Sequence, residues 1–190
     1  MLKNNDFVIL TDELGNLSKN TVGVIEDLNL DGLTAKVFFL GVKLHIDTEL
    51  TKLEYLNVAE TGKPHKYKIC NVCHILKEDF VDFEINQTDA LGRKTTRPSC
   101  RSCRVNIDGA KLTTLEKRRM RENQPVTYFE CPICGKGSIP GVTANLVIDH
   151  CHETGKARAW LCDSCNTGLG RFKDDISYLE KAIAYLKQYQ

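Results

Sequence analysis

No apolar run in the 190-residue chain approaches the roughly 20 residues that a membrane-spanning helix requires. Residues 1–6 hold no apolar stretch of the kind that drives secretion, so a secretory leader is not expected either. Net charge is nearly missing too, at +1, and the chain-wide average makes no electrostatic case for a polyanionic partner. These absences exclude a spanning helix and direct the expectation to a reducing, cytoplasmic setting. Disorder is not expected, because the 42% apolar share is ordinary for a folded chain.

What the sequence has in excess is cysteine. Nine in 190 residues is a high density, and in a reducing compartment such thiols are more often metal ligands than disulfide partners. The odd number also leaves one thiol without a mate in any disulfide scheme. Eight fall into four C-x-x-C pairs: Cys70 with Cys73, Cys100 with Cys103, Cys131 with Cys134, and Cys162 with Cys165. Only Cys151 stands outside, and packing is its expected role. The pairs recur as a unit, a C-x-x-C followed by 26 or 27 residues and a second C-x-x-C. A tight turn carrying C-x-x-C presents two thiolates one coordination edge apart, so two turns close a tetrahedral zinc site. The spacing therefore predicts one zinc on Cys70, Cys73, Cys100 and Cys103 and a second on Cys131, Cys134, Cys162 and Cys165. With every ligand position taken by protein, both ions are expected to be structural, replacing the core that such small units cannot build. Disulfides or an iron-sulfur cluster are the alternatives, which the paired spacing disfavours.

Charge and pattern divide the chain into three expected domains. Residues 1–62 hold 5 Lys or Arg against 10 Asp or Glu, residues 63–128 hold 14 against 8, and residues 129–190 hold 7 against 7. The first segment alternates apolar and polar positions in short runs over 7–10, 21–26, 33–40 and 42–46, a strand and turn pattern that predicts a small antiparallel barrel-like module. A docking role is expected for it, with dimerisation or a scaffold role as the alternative, and its acidic balance argues against a purely electrostatic hold on phosphates. Residues 60–69, broken by Gly62 and Pro64, read as a linker. Residues 63–128 hold the first ribbon and, after the capping box Thr113-Thr114-Leu115-Glu116, a short basic helix. Residues 129–190 hold the second ribbon and a helix with Ile176, Leu179, Ile183 and Leu186 at helical spacing, with Ser177 and Glu180 as its expected cap. The fold class is α+β: a β module, then two zinc-ribbon ββα units, the second catalytic.

The second ribbon carries chemistry. Residues 145–148 read as a strand, 153–156 as its turn and 157–161 as a returning strand, with a helix near Asn166. The run from Asp149 through His150, Cys151 and His152 to Thr154, Gly155 and Arg158, followed by Leu161, Cys162, Cys165, Asn166, Leu169 and Gly170, resembles the endonuclease VII branch of the ββα-metal (His-Me finger) nucleases. The tandem ribbon and the β module look more like a Type II restriction endonuclease of that superfamily. The resemblance implies that His150 is a general base and that Asp149 and Asn166 hold one Mg2+ or Mn2+. His152 would assist at the phosphate or metal, or simply brace the ribbon. The residue types suit the task, since an imidazole titrates near working pH and Mg2+ prefers oxygen donors. Regular alternation would put Asp149 and His150 on opposite faces, so a bulge or a strand end is expected there.

The first ribbon lacks these groups. Counted from Gly92 against Gly155, Asn86 stands for Asp149 and Gln87 for His150, while Arg104 follows Cys103 as Asn166 follows Cys165. That ribbon is expected to have kept its fold and lost catalysis, with Arg93, Lys94, Arg97, Arg101 and Arg104 contacting DNA. Lys117, Arg118, Arg119 and Arg121 of the basic helix join them. Solvated charge is the alternative for both sets. The expected partner is double-stranded DNA, cut by a homodimer, with a companion methyltransferase in the host that is no physical partner. A junction resolvase and a non-catalytic zinc-ribbon DNA binder are the competing functions.

Overall fold

In the computed structural model, which describes Met1–Gln190, the alternating N-terminal runs form five strands. They are β1 (Phe7–Leu10), β2 (Val22–Asn29), β3 (Thr34–Phe39), β4 (Leu44–Glu49) and β5 (Leu53–Tyr55). The sheet is antiparallel in the order β4-β3-β2-β1-β5. Alternation sends Val8, Leu10, Ile25, Val37 and Phe39 into one core. Ile9, Val22 and Leu56 point the other way, and partly buried Ile69 and Leu76 pack on them.

That second cluster shows why no free linker is found at 60–69. The chain re-enters a sheet at β6 (Tyr67–Ile69), turns at the first C-x-x-C, and returns as β7 (Leu76–Glu78). The turn is joined to the N-terminal module through a Thr21–Ile75 bridge and a 2.9 Å bond from Val22 N–H to the His74 carbonyl. At Gly41 a Cβ would collide with the Cys73 carbonyl oxygen, so glycine there permits the close approach. The first ribbon continues as β8 (Phe83–Thr88) paired with β9 (Lys94–Cys100), and α1 (Arg101–Asp108) follows. The chain divides into two compact units, Met1–Val105 and Asn106–Gln190, with the division inside α1.

In the second unit, α2 (Thr114–Glu122) precedes a short hairpin, β10 (Phe129–Glu130) with β11 (Gly137–Ser138). Then come β12 (Leu146–His150), β13 (Ala157–Cys162), α3 (Asp163–Arg171) and α4 (Ile176–Lys187). Its buried apolar cluster is small: Cys131, Leu161 and Cys162, with Phe129, Cys165 and Leu169 against them. The basic helix α2 belongs to this unit, not to the first ribbon. Trp160 Nε1 donates to the Met120 carbonyl at 3.2 Å, and the Glu116 carboxylate accepts the Ala157 N–H at 3.0 Å.

Two helix starts differ from the sequence pattern. α3 begins at Asp163 rather than near Asn166, because the last metal-turn residues already lie in helical geometry. α4 is capped by Asp175, whose carboxylate accepts the Ser177 N–H at 2.8 Å, so Ser177 is a recipient of the cap and not its source.

Candidate active site and metal centres

Each set of four cysteines comes together. Within each, the sulfurs lie within 4.8 Å of one another, and the Cys73–Cys100 and Cys134–Cys162 sulfurs are each 4.0 Å apart. Four thiolates bound at zinc distances would sit about 3.8 Å apart, so the donor sets fit a tetrahedral zinc. No disulfide joins the cysteines, and the 4.0 Å sulfur separations suit a shared ion rather than a sulfur–sulfur bond. The turns favour the thiolate at one sulfur of each set. Burial pushes the Cys131 thiol up, but the backbone N–H groups of Cys134, Cys162 and Ile133 outweigh it and hold it at about 6. Cys100 likewise sits at about 6, where a hydrogen bond from Ser102 and the Cys103 N–H overcome burial. Burial and neighbouring sulfur push Cys165 up to about 12.

The β12–β13 hairpin contains the expected irregularity. Leu146 pairs with Cys162 and Asp149 with Ala159, yet His150 pairs with Ala157, so Arg158 is left over as the bulged residue. The bulge lies beside Asp149 and His150, where the resemblance demanded a break in alternation. Asp149 is buried, at 7% exposure, and its carboxylate is gripped at both oxygens by Arg158, with Nε at 2.6 Å and Nη2 at 2.8 Å. Arg158 Nη2 also donates to Asp174 Oδ2 at 2.8 Å. Hydrogen bonding to Asp149, and then to Asp174, raises the guanidinium's hold on its proton against the effect of burial. The His150 and His152 rings stand 5.0 Å apart, and His152 Nε2 is 3.9 Å from Asp174 Oδ2. Asn166 sits half-buried in α3, the helix that packs on both strands of this hairpin. The hairpin turn is braced from the α1–α2 connection. Ala110 N–H donates to the His152 carbonyl at 2.6 Å, and Gly109, at φ 58°, comes so close that a Cβ would strike that same oxygen.

Beside His150 runs an open cleft lined by Lys117, Arg121, Gln124, Leu146, Ile148 and Trp160. Two cations of α2 therefore share a cleft with the imidazole. Of the other α2 cations, Arg118 pairs with Glu122 at 3.3 Å and Arg119 with Glu116 at 3.0 Å. In the first ribbon, Phe83 pairs with Cys100 as Leu146 pairs with Cys162, and four residues on along each strand stand Gln87 and His150. The register thus places an amide where the second ribbon has its imidazole. Arg93 pairs with Asp89 at 2.7 Å and Arg97 with Glu84 at 3.4 Å, both on exposed or half-exposed surface. Lys94 is exposed and Arg104 half-buried. Arg101 donates to the carbonyls of Val81 at 3.1 Å and Phe83 at 3.3 Å, a bracing role within the ribbon that sequence spacing did not reveal.

Comparison with known proteins matches three family models in chain order: a restriction endonuclease SH3 domain over residues 2–58, a His-Me finger endonuclease β4α2 domain over 57–109, and recombination endonuclease VII over 102–188. The solved structure of the ββα-Me type II restriction endonuclease Hpy99I is similar over 100% of both chains, with 57% identity and a TM-score of 0.94. The chain belongs to the His-Me finger endonucleases. Among phage relatives of this family member, the gene 59 protein of Mycobacterium phage D29 is 41% identical over 141 residues, 67% of this chain and 78% of that protein. The gene 59 protein of Mycobacterium phage L5 is 40% identical over 57 residues, 30% of this chain and 34% of that protein. As a His-Me finger endonuclease it is a metal-dependent DNA endonuclease, and the non-catalytic ribbon alternative falls. No helix is long and apolar enough to cross a membrane.

The divalent ion such enzymes use has a fitting donor set here. Asp149 offers a carboxylate and Asn166 a carboxamide oxygen, the hard donors magnesium takes. The Arg158 guanidinium already on Asp149 shows that a positive charge is accommodated at that carboxylate. Asp174 is the residue that sequence reasoning missed. Its only signal was an acidic position beyond the motif, and its proximity comes from the αL turn between α3 and α4, where Lys173 and Asp174 have φ of 60° and 54°.

Proposed function

We propose that this protein is a homodimeric Type II restriction endonuclease that hydrolyses both strands of DNA at a specific sequence. The reading rests on Asp149 and His150 at the bulged end of one ribbon hairpin and on Asn166 in the helix packed against that hairpin, within a chain similar over its whole length to Hpy99I. His150 acts as general base, taking a proton from the attacking water. Asp149 and Asn166 hold one Mg2+ or Mn2+, whose positive charge would stabilise the transition state and the leaving 3′ oxygen. His152 orients His150 across the ring contact and the scissile phosphate beside it. Lys117 and Arg121 grip phosphate along the cleft, and the remaining cations, Arg93, Lys94, Arg97, Arg101, Arg104, Arg118 and Arg119, supply backbone or base contacts. Zinc in both four-cysteine sites holds the frame and takes no part in hydrolysis.

One His-Me centre cuts one strand, so a double-strand break at a palindrome calls for two centres related by a two-fold axis. On α4, Ile176, Ile183, Tyr185 and Leu186 are exposed, an apolar set suited to a second copy. A host carrying such an enzyme requires a methyltransferase that protects its own sites.

The match to recombination endonuclease VII over 102–188 favours a second reading, a nuclease of branched DNA. Digestion of linear plasmid and of four-way junctions, with Mg2+ or with EDTA, separates them. Discrete fragments with one common end sequence, absent with EDTA and with His150→Ala, are expected. Cleaved junctions beside intact linear DNA would favour the second reading.

A further inference from the structure

The bulge at Arg158 serves more than strand geometry. A regular hairpin would set residue 158 opposite His150; the slip frees it and turns its guanidinium onto Asp149. Arg158 occupies both Asp149 oxygens with Nε and Nη2, and those oxygens are the donors a metal needs. The same Nη2 already reaches Asp174 Oδ2 at 2.8 Å, while Asp174 is itself mostly buried, with a side-chain exposure of 13%. One cation thus stands between two carboxylates. Asp174 gives the guanidinium a second acceptor, one it can keep when it leaves Asp149.

We propose that Arg158 is a stand-in cation that holds Asp149 before metal enters, and that Asp174 is the positioning residue to which it withdraws. The inference rests on Asp149 being a metal ligand. It explains why an acidic residue outside the motif is carried at the α3–α4 turn, at φ 54°, and why a buried carboxylate is stable before metal binds. The withdrawal is short, because Nη2 already holds Asp174 and keeps that contact while Nε and Nη2 both leave the Asp149 oxygens.

The test is Mn2+ binding to the zinc-loaded full chain without DNA, read as the loss of the free-ion electron paramagnetic resonance signal. Arg158→Met keeps the apolar stem of a half-exposed side chain, and Asp174→Asn keeps a residue that tolerates the αL region. Melting temperature and zinc content, measured on each variant, establish that both fold. Arg158→Met is expected to bind Mn2+ about ten-fold tighter than the parent, and Asp174→Asn about ten-fold weaker. In the double variant the Asp174 effect disappears, since no guanidinium remains to be withdrawn. Unchanged or weaker binding by Arg158→Met overturns the proposal, as does an Asp174→Asn loss of equal size in both backgrounds. Asp149→Asn separates the two ideas. Wild-type Mn2+ affinity in that variant overturns the metal-site reading and the stand-in with it, whereas lost affinity there leaves the Arg158 and Asp174 results to decide the stand-in alone.

Discussion

At the scale of residues, the hairpin gives His150, Asp149 and Arg158 three different surroundings within a few ångströms. His150 opens on a cleft edged by Lys117 and Arg121, whereas Asp149 is buried under a guanidinium. Replacing His150 by Ala is expected to lower the single-turnover cleavage rate by roughly 10^2- to 10^4-fold, the usual worth of a positioned general base. Affinity for uncut DNA in EDTA, measured by anisotropy, should stay within a few-fold of the parent, because the imidazole contributes to chemistry rather than to charge. Lys117→Ala with Arg121→Ala should do the reverse, weakening binding and reducing its salt dependence by about two phosphate contacts. The motif residues stood out in the sequence through their resemblance to the endonuclease VII pattern, in which they accompany the cysteine turns. Asp174 was not legible, because its contact with Arg158 is made by a turn and not by spacing.

At the scale of elements, α2 shows how a helix is fastened. Thr113 accepts the Glu116 N–H at 3.2 Å, the first half of the expected capping box. The second half is not made, since the Glu116 carboxylate reaches instead across to Ala157 N–H and to Arg119. Thr113→Ala should cost about 1 kcal/mol as a lost cap, read from chemical denaturation. Glu116→Ala should cost a similar amount, about 1 kcal/mol, and should also weaken DNA binding because α2 would lose one of its two hydrogen bonds to β13. α4 gives a prediction in pH. The Ser177 side chain and N–H hold the Asp175 carboxyl below the usual carboxylate range. The folded value being depressed, the cap's contribution is complete above the ordinary carboxylate pKa and is lost as pH falls through the lower folded one. The protection factor of the Ser177 amide, its exchange rate relative to the intrinsic rate at each pH, should therefore fall on acidification, and in Asp175→Asn it should be nearly flat over the same range. Which residue caps α4 was misread from sequence because Ser177 and Asp175 are both good caps, and the choice between them depends on where the chain leaves α3.

At the scale of the whole molecule, the two units depend on metal to different degrees. The first holds a β-module core around Val8, Leu10, Ile25, Val37 and Phe39, while the second has little beyond Cys131, Leu161 and Cys162. Stripping zinc with a strong chelator should unfold the second unit and leave far-UV circular dichroism from the β module. Cys131→Ser should do this in the second ribbon alone. Sedimentation should show a dimer at micromolar concentration, and introducing Lys at Ile183 and Leu186 should yield monomers that no longer make double-strand breaks. The sequence by itself determined the four cysteine turns, the alternating strands of the module and the Asp-His and Cys-Asn motif, because metal coordination, the two-residue strand period and the spacing from a cysteine are all local rules. Only the tertiary structure decided that the basic helix belongs with the catalytic ribbon, that the supposed linker is welded to the β module, and that Arg158 stands between Asp149 and Asp174. Each of these is a contact between residues far apart in the chain or separated by an irregular turn, where packing and hydrogen-bond partners, not periodicity, select the outcome.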